Sequence, residues 1–266
     1  MRKQFKKQTK VYTVPTTTSL RRLALLFMSL ASPAAAAFPE GFCPVQPATI
    51  AVVGDSLADG LWGAIYRSFM ECKTVSVLRV TTVSDGLTRT SPEDWAQRIG
   101  DALDQRLAAD VVLVQVGAND IRPIRNGSTR ALFADPAWDA AYGERTRTLA
   151  EQLADRTKKL IWLGLPIVGD EGLEEDYRHI TKLQQTAVGG VREAYFVDIH
   201  QGTKFGSESF TPNGDVNGEL RQLRASDQIH FTDIGYNMVL SIVLDDIVAV
   251  LKAKDADADL DSLVLQ

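Results

Sequence analysis

Five short apolar runs, separated by stretches of helical spacing, constrain this chain more than any other feature. Thr49 to Val53 (TIAVV) ends at Gly54 without polar alternation, as a strand covered on both faces requires. Its β-branched residues favour that state. Leu61, Trp62, Ile65 and Phe69 then recur three and four residues apart, on one face of a helix. The unit repeats. Strand-like runs over 75–83, 111–116, 160–165 and 195–199 alternate with helical patterns through Trp95 to Leu107, begun near Ser91-Pro92, through Trp138 to Leu153, and through Leu173 to Leu183. Pro166 stops the fourth run. A glycine-rich excursion over 202–218 precedes a last helix from about Asp233 to Leu251. Strands alternating with helices imply an α/β fold with a central parallel sheet flanked by helices on both faces. No internal repeat or long linker divides the chain, so one domain is expected.

Residues 1–37 are set apart by composition. They hold seven basic residues and no acidic one, followed by the apolar run Leu23 to Leu30 and the small-residue segment ending Ala35-Ala36-Ala37. This pattern reads as a bacterial-type secretory signal peptide. The apolar run is about half the ~20 residues of a membrane span, so no stable span is expected after cleavage. Arg21-Arg22 raises twin-arginine export without its full motif, leaving the route open. The destination is periplasmic or secreted. What remains, 38–266, carries 22 basic and 34 acidic residues, a net charge of −12. Such a chain does not grip a phosphate backbone, which excludes nucleic acid as an expected partner. It also weakly disfavours anionic envelope polymers. Cys43 and Cys72 are expected to pair in an oxidising compartment. The domain is expected over 38–253, with 254–266, where aspartates alternate with small residues, as a frayed and solvated tail.

In parallel sheets of this kind, ligands meet the loops at the carboxyl ends of the strands. Gly54-Asp55-Ser56-Leu57 follows the first strand, and Ser56 falls where the helix begins. It is either a plain N-cap or a nucleophile served by free amides and a positive dipole end. The second strand leads into Ser84-Asp85-Gly86-Leu87 and the third into Gly117-Ala118-Asn119-Asp120. Gly86, through its N–H, and Asn119, through its amide, are donor types suited to an oxyanion hole or plain turn residues. Asp227 stands three residues before His230, a spacing that lets a carboxylate orient the ring and leave Nε2 as a base. Of the other histidines, His179 lies in a charged helix and His200 follows a strand without an aspartate three residues before it.

Taken in chain order, GDSL at Ser56, Gly86, Gly117-x-Asn119-Asp120 and Asp227-x-x-His230 resemble the four signature blocks of the SGNH/GDSL hydrolase superfamily. The longer strings GDSLADGLWG and DVNGELRQLRASDQIHFTDIGY look like an exported bacterial subfamily of this group. The resemblance spans about 49–251 and implies a three-layer α/β sandwich, flavodoxin-like in outline. It further implies Ser56 as nucleophile, His230 as general base and acid, and Asp227 as its orienter. The Ser56 N–H, the Gly86 N–H and the Asn119 side chain would form the oxyanion hole. Ala58 stands where the second glycine of a G-x-S-x-G elbow would be, which argues against a lipase-like fold.

The implied activity is hydrolysis of a short acyl or acetyl ester on a small molecule or glycan through an acyl-serine. Two alternatives share the site or fold: an envelope polysaccharide O-acyltransferase, and a non-catalytic glycan-binding module. Trp62 and Trp95 lie on apolar helical faces and read as core, whereas Trp138, beside Asp135-Pro136, is the candidate for a substrate wall. The connection from Ile121 to Trp138 is expected to line the substrate pocket. Three histidines without H-E-x-x-H or paired-cysteine spacing supply no metal ligand set, and no phosphate loop calls for a nucleotide cofactor.

Overall fold

A computed structural model describes residues 42–104, 108–126 and 129–264. The leader expected over 1–37 lies outside them. Strand β1 (Ala48–Gly54) is buried at every position, as its continuous apolar run requires. Helix α1 (Ser56–Phe69) buries Leu57, Leu61, Ala64, Ile65 and Phe69. Strand β2 (Val75–Thr81) is followed by α2 (Pro92–Leu103), where Ser91 accepts a hydrogen bond from the Asp94 N–H and Pro92 opens the helix. Strand β3 (Ala109–Gln115) is again wholly buried. A short hairpin, β4 (Ile124–Asn126) and β5 (Thr129–Ala131), precedes α3 (Pro136–Ala154). Then come β6 (Thr157–Leu163), α4 (Glu171–Val188) and β7 (Ala194–Val197). The excursion over 202–218 contains β8 (Asn213–Val216), which pairs with β9 (Glu219–Gln222) in a hairpin that periodicity did not show. The last helix is α5 (Asp233–Val264).

The main sheet has the order β2-β1-β3-β6-β7, with every pairing parallel. Helix α1 packs with α5, while α3 packs with both α2 and α4, so helices cover the two faces in three layers. The order reverses direction once. From β1 the chain moves outward to β2, then returns to β3 on the other side of β1. The loops leaving β1 and β3 therefore diverge, and in open parallel sheets such a switch point is where ligands are bound.

Helix α5 is long and apolar enough to cross a membrane, yet its apolar stripe is committed to the core. Val239, Leu240, Val243, Leu244, Ile247 and Leu251 recur at helical spacing and are all buried. Where a frayed and solvated tail was expected from Lys254, α5 runs on to Val264. Its residues 254 and 255 make polar contacts to the lead-in of β1 and to Asp110. Asp255 accepts the N–H groups of Val45 (3.0 Å) and Gln46 (2.8 Å), and Lys254 Nζ reaches the Pro47 carbonyl and Asp110 Oδ2.

Cys43 and Cys72 are bonded, with Cα atoms 5.4 Å apart across a sequence separation of 29. The bond ties the lead-in of β1 to the end of α1. Closing a loop of this size stabilises the fold by about 3 to 4 kcal/mol in the chain-entropy description. The double substitution Cys43→Ser/Cys72→Ser is expected to lower the denaturant unfolding free energy by about that amount, and reductant should do the same to the parent protein but not to the variant.

Candidate active site

The site begins at a close approach of two strands. Gly54 has φ +142°, and a Cβ there would lie 1.9 Å from the Gln115 carbonyl oxygen, so only glycine lets β1 leave the sheet beside β3. Asp55 follows and caps α1, its Oδ1 accepting the Leu57 N–H at 2.9 Å. The capping role considered for Ser56 is thereby corrected: the preceding aspartate, an equally good cap, takes it. Ser56 becomes the first residue of α1, in the turn whose N–H groups have no intrahelical partner. Its hydroxyl is left for another use.

That use is His230, brought from the far end of the chain. His230 Nε2 lies 2.7 Å from Ser56 Oγ, and His230 Nδ1 lies 2.7 Å from Asp227 Oδ2. The other oxygen, Asp227 Oδ1, accepts the N–H groups of Ile229 and His230, each at 2.9 Å. Burial works to raise the Asp227 carboxyl, but the His230 ring and these two N–H donors outweigh it and hold the group below the ordinary carboxylate value. An ionised Asp227 facing Nδ1 favours the tautomer with the proton there, which leaves Nε2 as the acceptor for a serine proton. Gln228, between the pair, has φ +61°, a left-handed residue in a tight loop.

Beneath the serine lie two buried carboxylates that sequence reading left without a role. Asp55 Oδ2 accepts the N–H groups of Gly117 (3.1 Å) and Ala118 (3.0 Å), fastening the β3 loop to the start of α1. Asp120 repeats the device one loop further on. It accepts from the Leu87 N–H, the Thr88 N–H and hydroxyl, and the Tyr142 hydroxyl at 2.8–3.1 Å, fastening the β2 loop to the β3 loop. Burial pushes Asp55 up to about 7 against the pull of its N–H donors, and the neighbouring Asp120 adds to the rise. Burial likewise raises Asp120. Only Asp227 of the three aspartates meets the histidine.

Asn119 sits half-buried beside these braces, its Nδ2 donating to the Asp85 carbonyl at 3.0 Å. The Gly86 N–H donates to its neighbour's carboxylate, Asp85 Oδ1, at 2.8 Å. A Cβ at Gly86 would fall 2.2 Å from Asp120 Oδ1, which accounts for the glycine by packing against the brace. Trp138 does not wall the site. It is fully buried, stacked on Tyr142 with ring centroids 4.6 Å apart, because its position on α3 points into the layer between helix and sheet. Trp95 is core as expected, while Trp62 is half-buried with the Arg79 guanidinium 4.9 Å from its ring centroid. His179 and His200 are engaged elsewhere, by Asp139 and Glu174.

Arg224 was not singled out by sequence. It is fully buried, and its Nη2 donates to the carbonyls of Ile167 (2.7 Å), Ile229 (3.0 Å) and Gln228 (3.2 Å). Its guanidinium also lies 4.1 Å from the Phe231 ring centroid. The cation thus clamps the loop that presents Asp227 and His230. Burial lowers its pKa to about 10, which leaves it charged at neutral pH. An arginine between Leu223 and Ala225, just ahead of the Asp/His block, is the only signal the sequence offers for it. Among the described residues, no group of three or more His, Cys, Asp or Glu side chains is arranged to hold a metal ion.

The three layers around an all-parallel sheet of order β2-β1-β3-β6-β7 define an α/β fold. The chain belongs to the family described as protein of unknown function (DUF459), which matches residues 49–246. No curated protein matches the sequence. Among solved structures, the chain is similar to LAE5, an alpha/beta hydrolase enzyme from the metagenome of Lake Arreo, Spain. That likeness has TM-score 0.52 at 15% identity and covers 79% of this chain and 97% of that one. It is also similar to a variant of Axe2, an acetyl xylan esterase from Geobacillus stearothermophilus, with TM-score 0.51 at 13% identity, covering 74% and 94%. At these identities the likeness is one of fold.

Asp55→Ala should leave three buried N–H groups without an acceptor, a loss of roughly 3 kcal/mol or more at about 1 to 3 kcal/mol each. Because the folded state holds the Asp55 proton up to about pH 7 while the unfolded chain releases it near 3.9, this group's contribution falls as pH rises through that interval. The stability gap between the parent protein and Asp55→Ala, read from urea unfolding, is therefore expected to narrow from pH 4 to pH 7.

Proposed function

We propose that the protein is an exported serine esterase that hydrolyses a short acyl ester, acetyl foremost, on a small molecule or envelope carbohydrate. The observation that carries this reading is the relay from Asp227 through His230 to Ser56, with both contacts at 2.7 Å. Ser56 Oγ attacks the ester carbonyl as His230 Nε2 takes its proton, and the charge gathers on the carbonyl oxygen. The imidazolium is stabilised by Asp227. His230 then protonates the departing alkoxide, leaving the acyl group on Ser56 and an alcohol free. Water, deprotonated by the same nitrogen, attacks the acyl-serine, and the acid departs as Ser56 regains its proton.

The oxyanion is held by the Ser56 N–H, at the positive end of α1, and by the Asn119 amide, which has a second proton beyond the one given to Asp85. Gly86 serves as a third donor by exchanging its Asp85 partner for the oxyanion. The Cys43–Cys72 bond and the basic-then-apolar leader support export to an oxidising compartment, periplasmic or outside the cell. A short acyl group is supported by the acetyl xylan esterase among the similar folds.

Purified residues 38 to 266 should release p-nitrophenol from acetyl more readily than from butyryl or octanoyl esters. Ser56→Ala and His230→Ala should each abolish release without changing the thermal unfolding midpoint, and Asn119→Ala should lower kcat by about a hundredfold to a thousandfold. Turnover at parental rate by either of the first two variants would overturn the assignment. Labelling of Ser56 by a serine-directed phosphonate without ester release would point instead to acyl transfer onto a sugar hydroxyl.

A further inference from the structure

The chain after the leader is acidic, yet four arginines converge beside the candidate oxyanion loops. Arg89, Arg122, Arg125 and Arg130, with Thr88 and Pro123, line a cavity of about 260 Å3. None of the four forms an ion pair among the described residues. Arg125 and Arg130 stand directly opposite each other across the β4–β5 pair, where like charges repel. In a chain with more acidic than basic residues, four cations left without a carboxylate point to a partner that is not part of the fold.

The cavity rests on fixed backbone. Its Thr88 wall is held by Asp120 through both N–H and hydroxyl. The Arg122 carbonyl accepts the indole N–H of buried Trp138 at 2.7 Å, and Trp138 stacks on Tyr142, whose hydroxyl reaches the same Asp120. Arg145 Nη1 donates to the Leu87 carbonyl beside Thr88. The loops that carry Arg89 and Arg122 are thus braced by one buried carboxylate, a preorganised base for flexible cationic side chains. Both loops also carry the oxyanion candidates. Thr88 is two residues from Gly86, and Arg122 is three from Asn119, which puts their Cα atoms within about 11 Å at 3.8 Å per residue.

We propose that this cluster is a subsite for an oxyanion, a sugar carboxylate or phosphate, carried on the alcohol portion of the ester substrate. Guanidinium groups bind such planar or tetrahedral oxyanions through paired N–H donors. The assignment to the alcohol portion rests on the esterase reading above, because an acetyl group carries no charge of its own. The local field at this rim is opposite in sign to the net charge, so the protein selects an anionic glycan at the site while the rest of its surface repels one.

Calorimetric titration of Ser56→Ala separates the anion site from the chemistry. Trigalacturonate and glucose 6-phosphate are the two anionic probes, and xylotriose is the neutral one. At least one anion should bind, more weakly as salt rises, and Arg125→Gln/Arg130→Gln in the same background should lose at least tenfold in affinity. Arg89→Gln, on the other loop, is the second variant and should lose affinity in the same direction. Removing a repelling pair should leave the thermal midpoint of the double variant at or above that of its parent.

With Ser56 present, the ratio of kcat/KM for acetylated trigalacturonate to that for acetylated xylotriose should exceed one and fall at least tenfold in the double variant. Carboxylate and phosphate are told apart by which probe binds. Absence of binding by both anions, equal affinity in parent and variant, or binding only to phosphatidylglycerol vesicles overturns the proposal. If no ester is hydrolysed but arginine-dependent anion binding persists, the subsite stands and the esterase reading falls. If neutral esters are hydrolysed while neither anion binds, the subsite falls alone.

Discussion

A single buried carboxylate joins the elements on which this architecture depends. Asp55 caps α1 with one oxygen and holds the N–H groups of Gly117 and Ala118 with the other. A carboxylate costs free energy to bury, and the rise in its pKa records that cost. Three N–H groups that would otherwise lie buried without an acceptor offset it. The result is geometric. The first turn of α1, which holds Ser56, and the loop after β3, which holds Asn119, keep a fixed relation.

Asp120 and Arg224 extend the same logic outward. Asp120 fastens the β2 loop to the β3 loop, and buried Arg224 gathers three carbonyls from the segments that flank the Asp227 loop. They are positioning residues, and each satisfies backbone groups that irregular loops would leave unpaired. Ser56 stands in the first turn of α1 and Asp227 and His230 in the loop before α5, with Asp55 and Arg224 holding the adjoining backbone.

Charge is distributed with a purpose that net charge conceals. A value of −12 over 38–266 predicts repulsion of anionic polymers. The β4–β5 hairpin reverses this locally by opposing Arg125 to Arg130. The connection from Ile121 to Trp138, expected to line the substrate, does carry a readable feature once folded. Hairpin pairing sets its Arg125 against Arg130, and the Asp120 brace on Leu87 and Thr88 brings in Arg89 from the β2 loop.

Much of the fold is legible along the chain. The unbroken apolar run of Thr49 to Val53 and the three- and four-residue spacing from Leu61 to Phe69 report burial on both faces of a strand and on one face of a helix, and both properties are local to the chain. The chain order of Ser56, Gly86, Asn119, Asp227 and His230 was legible for the same reason, since each block sits at a strand end or helix start that sequence marks. Other features depended on contacts distant in sequence. That Asp55 rather than Ser56 caps α1, that Trp138 is core, that α5 continues past Lys254, and that Gly86 gives its N–H to Asp85 all follow from packing and hydrogen bonds between elements. Periodicities and the order of the chemical groups are local and can be read along the chain. Which polar groups pair is settled by folding, because a buried donor takes whichever acceptor the packed elements bring within reach.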